Sequence, residues 1–247
     1  MTSFNIWSTP GEEGLFLFDR AHHRRIATVL QALDGDLLAA NGCLFGGGTA
    51  IALRYGEYRE SVDVDFLVSD NDGYRVLREK VTGAAGISAI TRRNAELPAD
   101  RPVRADRYGI RTAVRVDGIT IKLEIIAEGR IALETPGDDD RVCGLAALTP
   151  LDMAATKLLA NSDRWPDDAV FSRDIIDLAM MTPDRQLLRR AIDKTRIAYG
   201  DAIERDLTKA VRALRDRPGR LDQCMRAMEI TTVPKALLWK RIRALAA

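Results

Sequence analysis

Hydrophobic and polar positions along the chain switch between the period of about 3.6 residues typical of helices and the two-residue period of strands. Residues 18–33 carry apolar side chains at helical spacing, which predicts a leading helix. Residues 43–45 then form a short apolar run, which predicts a strand entering a glycine turn. Residues 49–55 return to a helical pattern, and Gly56 is placed to end that helix.

The next apolar segment has the pattern of a strand with two different faces. One face carries the four apolar residues Val62, Val64, Phe66 and Val68. The other face carries Asp63 and Asp65, whose Cα atoms lie about 7 Å apart along a strand. Like charges this close repel each other, so we expect a cation beside them. Carboxylate oxygens favour Mg²⁺, or Mn²⁺, over zinc.

A glycine turn lies just before this strand in the chain. Gly46, Gly47 and Gly48 have no Cβ atom and allow backbone N–H groups to approach a ligand. Thr49 would lie at the N-terminus of the following helix, where a phosphate group binds well. An aspartate pair alone could be a solvent-facing pair or a salt-bridge partner. Together with the glycine turn, the pair predicts a site for a nucleoside triphosphate and magnesium.

The middle of the chain predicts a helix, a loop and a hairpin. Residues 73–85 have a helical pattern, whereas residues 92–107 are charged, contain two prolines and predict a loop. Residues 108–116 and 119–126 alternate on either side of Asp117-Gly118, which predicts a tight hairpin turn.

The second strand of this hairpin supplies a candidate third carboxylate. Its alternation places Ile121, Leu123 and Ile125 on one face and Glu124 on the other. An exposed ion pair with Lys122 explains Glu124 as well as metal binding does. Both interpretations therefore stay open at this point.

The C-terminal part is predicted to be helical. A loop at residues 135–141, rich in aspartate, is the predicted link between residues 1–140 and 141–247, and no strand pattern follows it. Thr149 before Pro150 and Thr182 before Pro183 predict helix starts, and about four to six helices are expected. The predicted fold class is α+β, with a small mixed sheet flanked by helices and then a helical domain.

Composition and charge restrict the class of protein. A chain of 247 residues with 46% hydrophobic residues can fill a core, and a net charge of +1 gives no general argument for a nucleic-acid partner. Two local basic clusters could contact RNA, although each taken separately is better explained as ordinary exposed charge. They comprise Arg92, Arg93, Arg101, Arg104 and Arg107, and the group Lys235, Lys240, Arg241 and Arg243 around Trp239.

Other features argue for a reducing, aqueous setting. The three cysteines, widely spaced, fit neither a disulfide framework nor a zinc site. No apolar run approaches the roughly 20 residues that span a bilayer. Residues 1–14 have no signal pattern, so we expect a cytoplasmic protein without membrane contact. His22 and His23 begin a polar helix, where we expect a solvated face and no catalytic role.

The run GGGTAIALRYGEYRESVDVDF at residues 46–66 resembles the first motif of nucleotidyltransferases of the DNA polymerase β superfamily. The resemblance is greatest to the AbiEii-like toxins, which include the MenT toxins. It consists of the glycine turn, an Arg-x-Ser-x-Asp-x-Asp run, a later strand, and a lysine that precedes an Arg-Asp pair in a helical half. The lysine and the pair are here Lys157, Arg173 and Asp174. The resemblance covers residues 45–178.

The resemblance implies transfer of a nucleoside monophosphate from an NTP to an acceptor hydroxyl, with pyrophosphate leaving. The implied metal ligands are Asp63, Asp65 and Glu124, and the implied nucleotide-binding residues are Gly47, Gly48, Thr49, Arg59, Ser61 and Lys157. The implied catalytic residues are Asp63, Asp65, Glu124, Lys157 and Asp174.

Three of these roles have alternatives. Many superfamily members have an aspartate where this chain offers Glu124, which could hold a second metal ion or accept the proton of the acceptor hydroxyl. Lys157 could instead extend from a helix toward solvent. Asp174 and Asp177 share one helical face, and the resemblance favours Asp174.

The resemblance also implies partners. The favoured acceptor is the acceptor end of tRNA, modified by the toxin of a toxin–antitoxin or abortive-infection system, with a cognate antitoxin protein as partner. One alternative is a nucleotidyltransferase that acts on a small molecule or a protein. A second is a catalytically silent nucleotide-binding module that serves as a regulator.

Overall fold

The computed structural model describes residues 18–246. Residues 1–17, which include the segment considered above for a signal pattern, and residue 247 lie outside the described residues. The predicted leading helix is confirmed as α1 (Ala21–Ala32), followed by the short helix α2 (Gly35–Ala40). Strand β1 (Leu44–Gly46) runs directly into helix α3 (Gly47–Arg54), which begins two residues earlier than the pattern predicted.

A five-stranded sheet forms the centre of the fold. Its strands are ordered β1-β2-β5-β4-β3, and only the β2–β5 pair is parallel, so the predicted mixed sheet is confirmed. Helix α1 contacts β4, and helix α4 contacts β2 and β3. These elements span β2 (Val64–Val68), α4 (Asn71–Thr82), β3 (Ala99–Ala105), β4 (Gly109–Val116) and β5 (Ile119–Ala127).

Strand β2 is shorter than its alternating pattern suggested. The strand begins at Val64, so Asp63 lies just before it, and Val62 is 48% exposed instead of joining the apolar face. The segment before the strand bonds to other partners: Glu60 N–H donates to the Met228 carbonyl, and Ser61 N–H donates to His23. These bonds take the chain away from the sheet before residue 64.

The prediction of a loop at residues 92–107 was wrong, because β3 lies within it and pairs with β4. The register between these strands shifts twice, which breaks the alternation that identifies a strand in the sequence. Pro102 is tolerated because β3 is an edge strand and needs hydrogen bonds on one side only.

The predicted hairpin is confirmed. Asp117 and Gly118 both have positive φ angles, of 50° and 77°, as a type I′ turn requires. Ile121, Leu123 and Ile125 are at most 1% exposed and fill the core, which leaves Glu124 on the opposite, polar face.

Two short strands follow the aspartate-rich loop, where no strand was expected. Strands β6 (Arg141–Val142) and β7 (Leu145–Ala146) pair only with each other, and two residues are too few to show any period. Ala147 then forms a parallel bridge with Phe45 in β1. The proposed division at residues 140 and 141 stays a prediction.

Six helices complete the described part of the chain, within the expected number. Thr149 caps the first of them as predicted, but the next predicted start is displaced, because Asp184 rather than Thr182 accepts the bond from Leu187 N–H. One continuous hydrophobic core includes residues from the sheet and from these helices. Their bounds are α5 (Pro150–Arg164), α6 (Arg173–Met180), α7 (Arg185–Tyr199), α8 (Ala202–Asp216), α9 (Arg220–Ala227) and α10 (Lys235–Ala244).

The helices in residues 18–246 were also compared with the requirements of a bilayer span. None combines the length and the apolar character needed to cross a membrane.

Candidate active site

The glycine turn forms the N-terminus of α3 and lies against the aspartate strand. Gly47 has φ +67°, and a Cβ atom there would lie 2.5 Å from Asp65 Oδ2. A Cβ atom at Gly48 would collide with the Arg59 guanidinium. Only glycine fits both positions, and the first N–H groups of α3 have no carbonyl partner within the helix.

Three carboxylates lie close together beside this turn. Asp65 is paired in register with Glu124 on the neighbouring strand, so both side chains project to the same face, and Asp63 precedes β2. Burial, together with the negative charges of Asp63 and Glu124, raises the pKa of Asp65 to about 6, against the opposing effect of Lys157. The cluster therefore resists full ionisation unless positive charge is nearby.

Asp177 is the centre of a buried ionic network that joins α6 to the segment before β2. It is 0% exposed and accepts hydrogen bonds from Arg59 Nε at 2.7 Å, Arg59 Nη2 at 3.0 Å and the Tyr58 hydroxyl at 2.6 Å. Lys157 Nζ lies 2.7 Å from Oδ2 of the same carboxylate. Burial opposes ionisation, but Arg59 and Lys157 hold the pKa of Asp177 well below its usual range.

Asp174 is a second buried carboxylate in contact with Lys157. It accepts hydrogen bonds from Lys157 Nζ at 3.1 Å and from Arg164 at 2.7 and 2.9 Å. Burial acts against ionisation here too, and Lys157 and Arg164 lower the pKa of this carboxyl. Lys157 thus donates two of its three N–H groups to Asp174 and Asp177, and the third remains available to a ligand in the cleft.

Thr49 and Ser61 bond mainly to each other. Their hydroxyl oxygens lie 2.7 Å apart, and the Thr49 hydroxyl also donates to the Asp63 carbonyl. Both are buried, so their side chains fix the backbone that carries Asp63. Both residues also line the cleft, and their part in nucleotide binding stays a prediction.

The expectation of a solvated face at His22 and His23 was wrong for His23 and holds in part for His22, which is half-buried. His23 is 0% exposed, its Nε2 accepts a hydrogen bond from Ser61 N–H at 3.1 Å, and its Nδ1 lies 2.7 Å from Glu57 Oε1. Burial lowers its pKa, so the neutral ring donates from Nδ1 to Glu57. His22 Nε2 lies 3.0 Å from the Val62 carbonyl. Because the residues next to His23 in the sequence are polar, the sequence pattern did not indicate that its side chain is buried.

All but one of the predicted site residues line a single cleft of about 340 Å³. The exception is Asp174, which contacts Lys157 but does not itself line the cleft. Sequence reasoning missed Arg130 and Arg164 in the lining, although Arg164 lies seven residues after Lys157 and so on the same face of α5. The predicted residues brought together are Gly47, Gly48, Thr49, Arg59, Ser61, Asp63, Asp65, Glu124 and Lys157.

A wider, open depression of about 770 Å³ lies between Glu57 and α9. Its lining contains neither the glycine turn nor the aspartate pair, so we place the site in the smaller cleft.

The carboxylates suit a magnesium ion that arrives with a triphosphate. In residues 18–246, no three His, Cys, Asp or Glu side chains form a ready-made metal cage. Magnesium is commonly held by one or two carboxylates together with substrate phosphates, and Asp63 and Asp65 match that donor set. Burial and, after it, the negative charges of Asp63 and Glu124 raise the pKa of Asp65, and a cation beside these carboxylates would oppose that effect.

Solved structures from Helicobacter pylori resemble this chain. The chain is 19% identical to JHP933 from Helicobacter pylori, whose crystal structure matches with a TM-score of 0.50 over 93% of each chain. A second H. pylori structure, described provisionally as a nucleotidyltransferase, is 17% identical with a TM-score of 0.47 over 96% of each chain. No curated protein sequence matches significantly.

A sequence model of one family matches most of the chain. The match covers residues 29–244 and includes every residue of the cleft, and the family is described as the nucleotidyl transferase AbiEii toxin of type IV toxin–antitoxin systems. The chain therefore belongs to the AbiEii family of nucleotidyl transferase toxins.

Proposed function

We propose that this nucleotidyltransferase moves a nucleoside monophosphate from an NTP to a hydroxyl group of RNA, with the acceptor end of tRNA as the favoured acceptor. One observation carries the proposal. The paired carboxylates of Asp65 and Glu124 face the same cleft as the N-terminus of α3 and Lys157. This arrangement provides negative groups for a metal ion and positive groups for a triphosphate within about 340 Å³.

The triphosphate is bound at the positive side of the cleft. N–H groups of Gly47, Gly48 and Thr49 at the start of α3 donate to phosphate oxygens, since a helix N-terminus favours anions. Lys157 contributes its remaining N–H, and Arg173 lines the same cleft. The Arg59–Asp177 pair supports the turn from beneath, because the guanidinium fills the space where Gly48 has no side chain.

The metal ion would be held by Asp63 and Asp65, which leaves Glu124 for the acceptor hydroxyl. Magnesium in this position supplies Lewis-acid neutralisation of the phosphate charge. Asp174 is proposed as a positioning residue, because it touches Lys157 and Arg164 rather than the cleft.

The reaction proposed for the cleft is an in-line displacement. The acceptor hydroxyl oxygen forms a bond to the α-phosphorus while the bond from that phosphorus to the β-phosphate bridging oxygen breaks. The hydroxyl proton passes to Glu124, which lies on the side of the cleft away from α3. Pyrophosphate leaves with the bridging oxygen, so charge and atoms balance.

Family membership also implies an antitoxin partner. We propose that this antitoxin limits the transfer reaction in the cytoplasm.

The proposal is tested by incubating purified protein with total tRNA, magnesium and each of the four α-labelled NTPs in turn. An Asp65→Ala variant serves as the control for the cleft, and an Asp72→Ala variant controls for loss of an exposed aspartate on α4. We expect label on RNA with wild type and with Asp72→Ala. Removal of Asp65 should lower the rate by roughly 10²–10³-fold, as loss of one charge-stabilising group does elsewhere.

Other outcomes would point to the alternatives. Label on a protein or a small molecule, with none on RNA, would show that one of these, and not RNA, is the acceptor. Triphosphate binding without pyrophosphate release would indicate a silent nucleotide-binding module and contradict the proposed catalysis.

A further inference from the structure

A row of paired residues crosses the sheet from the cleft to the edge strand. Asp65 pairs with Glu124, Glu124 with Arg111, and Arg111 with Arg104. Directly paired residues project to the same face of a sheet. The face that carries the site carboxylates on β2 and β5 therefore continues as arginines on β4 and β3. Neighbouring strands lie about 4.8 Å apart, so Arg104 lies about 10 Å from Glu124.

A second row lies beside the first. Lys122 on β5 pairs with Ala113 on β4, and Ala113 pairs with Arg101 on β3. Ala113 itself is buried between the longer side chains of this row. Four exposed basic residues thus share one face next to the site, and we call them the basic sheet face: Arg101, Arg104, Arg111 and Lys122.

The positive charge of this face is largely uncompensated. Within residues 18–246, the only ion pair of the four is that of Arg111 with Asp106, at 3.2 Å, and both partners are about half exposed. Such a pair contributes little in water. By contrast, Arg115 on the same strand is paired with Asp100, and Arg130 in the cleft is paired with Glu128. The basic sheet face therefore does not include Arg115, whose charge is compensated by Asp100.

We propose that the basic sheet face binds the phosphate backbone of the acceptor RNA strand. This inference rests on the function proposed above and adds where the acceptor lies. The triphosphate occupies the side of the cleft formed by α3 and α5, so an acceptor reaches the carboxylates from the opposite side, across β5 and β4. Exposed Lys and Arg side chains at strand spacing suit a chain of phosphates, which binds largely through charge.

The C-terminal basic cluster is a weaker candidate for this role. Lys235 is paired with Asp222, and Arg241 contacts the sulfur of Met180. Neither residue is part of the cleft lining.

The test uses the full chain and a short fluorescein-labelled single-stranded RNA, with binding measured by fluorescence anisotropy over a range of salt concentrations. The face variant is Arg104→Gln/Lys122→Gln. The matched control is Arg189→Gln/Arg212→Gln, which removes two exposed arginines of α7 and α8, elements outside the sheet.

We expect the face variant to bind RNA at least about tenfold more weakly, and the control to bind like wild type. The slope of log affinity against log salt should fall by about 1.4, since each contact to a single strand contributes about 0.7. Magnesium–ATP binding, measured separately, should be unchanged in the face variant. Thermal unfolding should be unchanged as well, because the substituted side chains are exposed.

Equal RNA binding by the face variant and wild type would overturn the inference, and so would the absence of RNA binding by wild type. Polyglutamate that competes as well as unlabelled RNA would assign the face to an acidic protein and contradict RNA as its occupant. Nucleotide transfer is measured independently of this assay. RNA binding that depends on the face, without any transfer to RNA, would therefore refute the proposed function while it establishes the face as an RNA-binding surface.

Discussion

At the scale of single residues, Gly47 and Gly48 shape the cleft because they have no side chain. Gly47 combines a positive φ angle with a backbone close to Asp65. Gly48 leaves room for the Arg59 guanidinium, which is bound in turn by Asp177. The turn, the carboxylate and the ion pair are thus in direct contact, and a change in one displaces the others.

Substitution of Gly47 by alanine should therefore remove activity. The new methyl group would lie 2.5 Å from Asp65 Oδ2, and the positive φ would cost about 1–3 kcal/mol. We expect weaker magnesium–ATP binding by equilibrium dialysis and loss of detectable transfer. Gly129→Ala is the matched control, because a Cβ atom there has no neighbour within 4 Å. Wild-type ATP affinity in Gly47→Ala would show that the close approach has no functional importance.

The residues of the first motif could be predicted from the sequence, but their buried partners could not. Paired aspartates and a glycine turn are local patterns, visible within about twenty residues. The bond between Arg59 and Asp177 joins residues 118 positions apart, and periodicity carries no such information. The resemblance favoured Asp174, and the structure adds that Asp177 is the more deeply buried and contacts both Arg59 and Lys157.

At the scale of elements, three pieces of the chain meet at Asp177. Helix α6 supplies the carboxylate, α5 supplies Lys157, and the segment before β2 supplies Arg59. A buried ion pair contributes little net stability compared with apolar packing, but removal of one partner leaves an unpaired buried charge. The network therefore constrains the relative positions of α5, α6 and the segment before β2.

The substitution Asp177→Asn should lower the free energy of unfolding by about 3–5 kcal/mol at pH 7. The pKa of Asp177 is lower in the folded than in the unfolded protein, so its ionised form stabilises the fold above the unfolded pKa, about 3.9. That contribution is lost as the pH falls through the folded pKa. The difference between wild type and Asp177→Asn should thus be constant above about pH 5 and shrink below about pH 4.

Urea unfolding at a series of pH values measures this difference. Asp193→Asn on α7 is the control, because its pair with Arg196 is exposed on both sides. A difference for Asp177→Asn that stayed unchanged down to the lowest pH would contradict the role given to ionised Asp177.

Elements with clear periods were predictable, and those without were missed. The hairpin of β4 and β5 shows alternation and a recognisable turn, whereas β3 contains a proline and an irregular register. Strands β6 and β7 are two residues long, so only their tertiary pairing identifies them.

At the scale of the whole molecule, the sheet and the C-terminal helices share one hydrophobic core. Phe45 in β1 bridges to Ala147, and the Arg59–Asp177 pair connects the same two parts. The mixed sheet and the helical half could be predicted from patterning, but the extent of their contact could not, because it depends on packing between distant segments.

The two parts should accordingly unfold together. In native-state hydrogen exchange, the slowest amides of β2 and β5 and those of α5 should exchange with the same free energy of opening, because one core connects them. Amides of α10, near the end of the described chain, provide the internal comparison for local fraying. Exchange of α5 at a distinctly lower free energy than β2 would show two independently stable units.

The separation between Arg59 and Asp177 also affects synthesis. At about 5–20 residues per second, the 118 positions between them take on the order of ten seconds to translate. During that interval the nascent chain carries the glycine turn, Asp63 and Asp65, yet Arg59 lacks its carboxylate partner. Lys157, once it is made, still lacks Asp174 and Asp177. Copies cut short before residue 177 by a premature stop codon or a frameshift lack the carboxylate that binds Arg59 and Lys157, so we expect them to be inactive in transfer.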